Sequence, residues 1–184
     1  ALPAIYGALT IFPMASIAKD HCGKGAGVIS AWLIAFMPTH VQKSTWGMAD
    51  HDSFVLLFLT AAFMFYLRAV KSGGDERLSR STTASPSGMI KAMSEVLKYR
   101  RRASANAIAA GVCFSIVALG WKGFVYGPAI IFLAYVLQVA MNMFRRKDST
   151  ILSTLNVLML GTIFIMIMPF SVSYTHLTLP TRST

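Results

Sequence analysis

Six apolar segments constrain this chain more than anything else in it: they fall at roughly 2–18, 25–41, 53–70, 104–120, 124–143 and 151–172. Each is near the length that an α-helix, rising about 1.5 Å per residue, needs to cross a hydrocarbon layer of ~30 Å. Lipid offers no hydrogen-bond partner to an open backbone, and none of the segments shows the polar alternation of a membrane barrel strand. Helices are therefore the expected form. With 55% hydrophobic and 13% charged residues among 184, an ordinary soluble domain is excluded. The expected fold is all-α, a polytopic helical membrane protein with about six transmembrane spans.

Alternating six spans divides the loops into two sets, and the cations divide with them. Fourteen Lys and Arg residues fall on one set, including Lys19, Lys24, Arg68, Lys71, Arg100 to Arg102 and Arg145 to Lys147; the other holds Lys43 and Lys122. Positively charged loops stay in the cytoplasm, so the sequence predicts a multi-pass cell-membrane protein with loop 71–103 cytoplasmic and the Asp50/Asp52 loop extracellular. The net charge of +10 is then a matter of topology and of attraction to anionic headgroups in the bilayer, and no nucleic-acid partner is expected. Within the cytoplasmic loop, a Gly/Ser/Thr linker precedes Ser85-Pro86, and Met89, Ile90, Met93, Val96 and Leu97 then recur at helical spacing. An interfacial helix over about 86–100 is the expectation.

The ends carry their own signals. The chain starts on Ala1 without an initiator Met, which reads as a fragment, and "VSYTHLTLPT" from Val172 back-translates as read-through of a common sequencing adapter. Residues 172–184 are accordingly expected to be an adapter-derived scar, and His176 and Arg182 are set aside. Cys22 in a polar loop and Cys113 inside a span are expected at different depths, so no disulfide is predicted.

Five of the seven acids lie in basic cytoplasmic loops; Asp50 and Asp52 do not. They precede the apolar run from Phe54, so the expected place for them is the N-cap and first turn of the third span, where free N–H groups and the helix dipole favour anions. Capping alone explains one such acid. Two carboxylates two residues apart can also share a hard divalent cation, Mg²⁺ or Mn²⁺, which keeps waters and phosphate oxygens as its other ligands. A zinc site from His40, His51 and the aspartates fits no compact ligand spacing. "GKGAG" at Gly23 to Gly27 lacks the preceding strand and the Lys-Ser/Thr of a phosphate loop, and reads as a turn. Trp121 and Tyr126 flank a short outer loop and are explained by an aromatic belt.

These residues carry a resemblance. The stretch from Ala1 to Phe54, with its G-x-x-D-x-D element, is similar to the region around the second acidic motif of the oligosaccharyltransferase catalytic subunit, archaeal single-subunit type. "ALGWKGFVYGPAIIF" resembles the W-x-G-aromatic stretch two spans later in that family. The resemblance implies the central part of the transmembrane domain of a GT-C-type glycosyltransferase. Its activity would be transfer of an oligosaccharide from a dolichyl phosphate or pyrophosphate carrier to the Asn of an Asn-X-Ser/Thr sequon in an acceptor polypeptide.

By the same carry-over Asp50 is a metal ligand and catalytic residue, and Asp52 is a second ligand or a group near the acceptor amide. Lys43 stands where the family usually carries Arg, and with His51 is a candidate for substrate binding. The family's first acidic motif and its sequon-reading motif are not in the chain, so the chain by itself is expected to be inactive. A cation-coupled secondary transporter, with the two aspartates as cation ligands, and a non-catalytic membrane scaffold are the competing classes; transporters usually place such acids at the midplane on broken helices.

Overall fold

The computed structural model describes residues 2–44, 51–73, 94–95, 97–147 and 149–177, the last eight of these by backbone path. Asp50 and most of the stretch expected as an interfacial helix lie outside the described residues; Ser94, Glu95 and residues 97–99 are helical. The elements are α1 (Leu2–Cys22), α2 (Lys24–Phe36), α3 (Pro38–Ser44), α4 (Asp52–Gly73), α5 (Arg101–Gly120), a 3-10 turn (Lys122–Val125), α6 (Tyr126–Phe144) and α7 (Thr150–Leu177). Among the described residues there is no strand.

Five of these helical stretches are long and apolar enough to cross a membrane, and the sixth apolar segment differs from expectation. Where a span over 25–41 is expected, α2 stops at Phe36 after 13 residues and α3 starts at Pro38. The cause is local. Proline has no N–H to give the carbonyl of Ile34, and its ring pushes the preceding residue out of the α region; Met37 accordingly has φ −64° and ψ 117°. The broken pair still runs the length of α1. A Cβ on Gly27 would lie 2.9 Å from Lys19 Cβ, Ser30 reaches the carbonyl of Met14, and His40 reaches that of Gly7. α2 and α3 thus return along one side of α1, and α4 runs parallel to α1 and packs directly against it.

The same logic orders the rest into two ends. At one, Arg68 bonds Asp20, Arg100 donates to the carbonyl of Gly73, and Gly73 packs on Ile151. At the other, Tyr6 meets Phe54 edge to face, Gly120 sits against Phe54, and Gly127 against Phe114 and Leu59. Lys19, Lys24, Arg68, Lys71, Arg100 to Arg102 and Arg145 to Lys147 belong to the first end; Lys43 and Lys122 belong to the second. Among the described residues the uneven distribution of cations is therefore a segregation between the two ends of one bundle.

α4, α5 and α7 form the interior. On α5, Ala103, Ala107, Ala110, Phe114 and Val117 are all buried, spaced four and three residues apart, which is one face of a helix. Small residues dominate that face because bundles in lipid gain by close backbone approach rather than by water exclusion. Gly111 shows how close: a Cβ there would fall 2.8 Å from the carbonyl oxygen of Met159 and 2.7 Å from Thr162 Cβ. Polar pairs complete the packing. Asn156 donates to the hydroxyl of Tyr66 at 3.1 Å, while Tyr135 and Ser153 share a hydrogen bond of 2.9 Å between α6 and α7. The outward residues of α2 and α6, among them Val28, Trp32, Phe36, Phe132 and Leu137, are exposed and apolar, as lipid-facing surfaces must be.

Candidate active site at the acidic helix start

The break at Pro38 positions the site. α3 is a short helix pinned to α1: the buried His40 donates from Nε2 to the carbonyl of Gly7 at 3.1 Å, and a Cβ on Gly7 would lie 2.4 Å from Ser44 Cβ. His40 thereby has a structural task, holding the broken helix to its neighbour. α3 in turn is joined to the start of α4 twice. Lys43 Nζ lies 2.8 Å from Asp52 Oδ2, and Ser53 Oγ donates to the carbonyl of Lys43 at 2.8 Å. A last-turn carbonyl of α3 and a first-turn carboxylate of α4 are thus satisfied by each other's helices.

Asp52 opens α4. Val55 N–H bonds the carbonyl of His51 at 2.9 Å, which makes His51 the residue preceding the helix and Asp52 its first helical position. The first-turn place expected for Asp52 is thus the one it takes, while Asp50, expected at the N-cap, lies outside the described residues. The first turn favours an anion through the helix dipole. His51 Nε2 lies 4.0 Å from Asp52 Oδ1, so the other carboxylate oxygen faces the imidazole at long range. The Asp52 side chain is 43% exposed and that of Lys43 46%, leaving both open to a ligand.

A cavity of about 410 Å³ adjoins the pair. Thr39, His40 and Lys43 line it from α3, Asp52, Ser53 and Leu56 from α4, with Ile34 and Met37 at the break and Trp121 from the far side. Its walls are mostly hydrocarbon, with the charged pair at one part of the lining, an arrangement suited to an amphiphile bearing an anionic or polar head. Non-helical backbone at membrane depth persists where it borders such a cavity, which is where the Met37 break lies.

The structure brings together Lys43, His51 and Asp52 of the residues predicted from sequence, while Asp50 lies outside those described. Among the described residues no three His, Cys, Asp or Glu side chains converge as a metal site, so His40 and His51 do not form one with Asp52. Sequence reasoning misses Ser53 and Trp121 as parts of the site. Ser53 carries the ordinary signal of a hydroxyl in a helix's first turn. Trp121 stands out in its W-x-G context, but its place on the same cavity as Asp52 depends on packing across 69 residues of sequence.

Comparison with known proteins places the whole chain in a family. The family model described as "Oligosaccharyl transferase STT3, N-terminal" matches residues 1–179. The dolichyl-phosphooligosaccharide-protein glycotransferase 3 of Archaeoglobus fulgidus is 28% identical over 178 residues, covering 94% of this chain and 18% of that protein. The dolichyl-monophosphooligosaccharide–protein glycotransferase AglB of Haloferax volcanii is 26% identical over 147 residues, 79% of this chain and 13% of its own length. The STT3 subunit of the Saccharomyces cerevisiae dolichyl-diphosphooligosaccharide–protein glycosyltransferase is 26% identical over 69 residues, 38% of this chain and 10% of the subunit. The chain therefore spans less than a fifth of the length of these curated relatives. No solved structure matches it. With a family match over nearly all of an all-α polytopic membrane bundle, the chain belongs to the oligosaccharyl transferase STT3 family.

Proposed function

We propose that this chain forms part of the membrane domain of a protein N-glycosylation enzyme, which moves an oligosaccharide from a dolichyl phosphate or pyrophosphate carrier to the Asn of an Asn-X-Ser/Thr sequon. The observation that carries the reading is the cavity with Asp52 and Lys43 on its lining, within a chain of the STT3 family. The relatives' names supply the carrier and the acceptor; the cavity supplies a place of the right character, hydrocarbon walls with a charged pair. The side bearing Asp50 and Asp52 is the extracellular one in this reading, and the basic end is cytoplasmic.

The chemistry asks for what these residues offer. An Asn amide nitrogen is a poor nucleophile because its lone pair is delocalised into the carbonyl, so carboxylates must orient it while positive charge stabilises the phosphate leaving group. Asp52 fits a divalent cation by donor type: a carboxylate at a cavity, 43% exposed, matches the oxygen preference of Mg²⁺ and Mn²⁺. Asp50 and Asp52 would hold the ion, with substrate oxygens completing the shell; when bound, such an ion supplies positive charge at the phosphate. Lys43 sets the orientation of Asp52 through Oδ2 and adds a cation at the cavity. His51, beside Oδ1, is placed to meet a polar group of the substrate.

In membranes carrying the intact parent enzyme, Asp50→Asn keeps the side chain's size but removes charge that holds a cation, and glycopeptide formation should fall ~10²–10³-fold. Asp52→Asn should lose less and recover partly in excess Mn²⁺, because its carbonyl oxygen still coordinates. Asp75→Asn, in the basic loop, should match wild type. More than about half of wild-type rate for Asp50→Asn at limiting metal would end the metal assignment.

A further inference from the structure

Two consecutive residues near the start of α1 hold the two elements that carry the charged pair. Tyr6 meets Phe54 edge to face, with ring centroids 5.6 Å apart, and so grips α4 two residues after Asp52. Gly7 receives α3. Its carbonyl accepts from His40 Nε2 at 3.1 Å, and a Cβ built on it would fall 2.4 Å from Ser44 Cβ and 2.9 Å from Ser44 Oγ. The first distance is far inside carbon contact, and Ser44 Cβ is bonded to the backbone of α3, so no side-chain rotation relieves it. The Ser44 hydroxyl is engaged as well, donating to the carbonyl of His40 at 2.8 Å. From there the path to the carboxylate is short. Lys43, next to Ser44, accepts from the buried Ser53 hydroxyl at its carbonyl and reaches Asp52 Oδ2 with Nζ, both at 2.8 Å.

From this we infer that Gly7 is a positioning residue for the Lys43–Asp52 pair: its missing side chain seats α3 on α1, and α3 carries Lys43 to the start of α4. The inference rests on the reading of that pair as part of the glycan-transfer site. α3 needs a seat because it cannot hold itself. Its seven residues fall short of the about 12–15 at which a lone helix becomes even marginal, and Pro38 cuts it from α2, so its place comes from docking. Gly111 makes a useful contrast, since a methyl there would press apart α5 and α7, two long spans remote from the pair. A methyl at Gly7 would instead lift a short helix off α1 and take Lys43 with it, while α4 stays gripped through Tyr6. A displacement of about 1 Å at an aligned site can cost on the order of 10²-fold in rate.

The test uses the intact parent enzyme and two readouts. Hydrogen exchange followed by mass spectrometry reports the seat: Gly7→Ala should speed exchange across residues 38–44 at least about tenfold and leave 101–120 as in wild type. Glycopeptide formation per folded enzyme reports the site. There kcat should fall about tenfold or more, with KM for the acceptor peptide within about twofold, because geometry is lost rather than acceptor binding. In Gly7→Ala/Ser44→Gly the added methyl meets no Cβ, the next atom being His40 Nε2 at 3.8 Å, and Ser44 ends its helix, where glycine is tolerated. Exchange and kcat should therefore both return most of the way to wild type. His40→Leu reads the same seat without added bulk, by removing the donor to the Gly7 carbonyl; it should lower kcat likewise, and His40→Gln, which keeps a donor, should recover part of the loss. Unchanged kcat in Gly7→Ala, whatever its unfolding midpoint, would overturn the positioning role while leaving the transfer reading intact, and if Gly7→Ala does not fold, unchanged kcat in His40→Leu would do the same. A wild-type parent that forms no glycopeptide would overturn the transfer reading, and this inference with it.

Discussion

The two ends of the bundle use charge differently. At the basic end three of the described cations are tied into the structure: Arg68 Nε bonds Asp20 Oδ2 at 2.7 Å, Lys71 donates to the carbonyl of Asp20 in the last turns of α1, and Arg100 to that of Gly73 at the end of α4. Positive groups on helix C-termini satisfy orphan carbonyls and oppose the negative end of the dipole. At the acidic end the contacts that fix the backbone are neutral ones, His40 to Gly7 and Ser53 to Lys43, while the charged pair of Lys43 with Asp52 sits on the lining of a cavity. Charge locks one end and stays open to a ligand at the other, which is the difference expected between a topological anchor and a site.

The all-or-none consequence of that contrast is sidedness. With Cys22 and Cys113 replaced, a single cysteine at Ser72, beside Lys71, should react with a membrane-impermeant maleimide from the cytoplasmic face. One at Thr45, following α3, should react from the outside. Reaction of both from one face would break the assignment of the two ends to the two sides of a membrane.

Next in size is the anchoring pair itself. Arg68→Met keeps the aliphatic length but strands the Asp20 carboxylate, whose side chain is 27% exposed, without its guanidinium. Losing a charged hydrogen-bond partner at a partly buried site costs about 1–2 kcal/mol after allowance for solvent. Thermal unfolding in detergent should drop by several degrees, at about 2–4 °C per kcal/mol for a chain of this size. An unchanged midpoint would mean that α1 and α4 are held parallel by packing alone.

Much of this architecture is legible in the amino-acid sequence, and the misses have physical causes. Helix positions follow from apolar length, because lipid permits no other backbone solution, and the cation asymmetry becomes two physical ends because alternating helices leave no other arrangement. The break at Met37 is also written in the sequence: Pro38 cannot donate, but apolarity continues across it, and length alone makes 25–41 one piece. Lys43 with Asp52, and Trp121 with the cavity, depend on which helices pack together, and pattern along a single chain carries no such information. The resemblance to the STT3 family points to Lys43 and Asp52 separately; their pairing is visible in space alone.

The smallest effect sharpens the contrast most. Lys43 and Asp52 are each nearly half exposed, so water and salt compete for both, and an ion pair of that kind contributes about 0–1 kcal/mol. Lys43→Met and Asp52→Asn should each shift the unfolding midpoint little. A double-mutant cycle between them should give a coupling of under about 1 kcal/mol that shrinks in about 1 M salt, where the screening length falls to about 3 Å. The same cycle between Arg68→Met and Asp20→Asn should give the larger coupling and lose a smaller share of it in salt, because that pair is the less exposed of the two. If the Lys43–Asp52 coupling proved the larger and salt-resistant of the two, the cavity's charges would be a structural lock like those at the basic end. Lys43 would then have no freedom to meet a phosphate, and its role would narrow to holding Asp52.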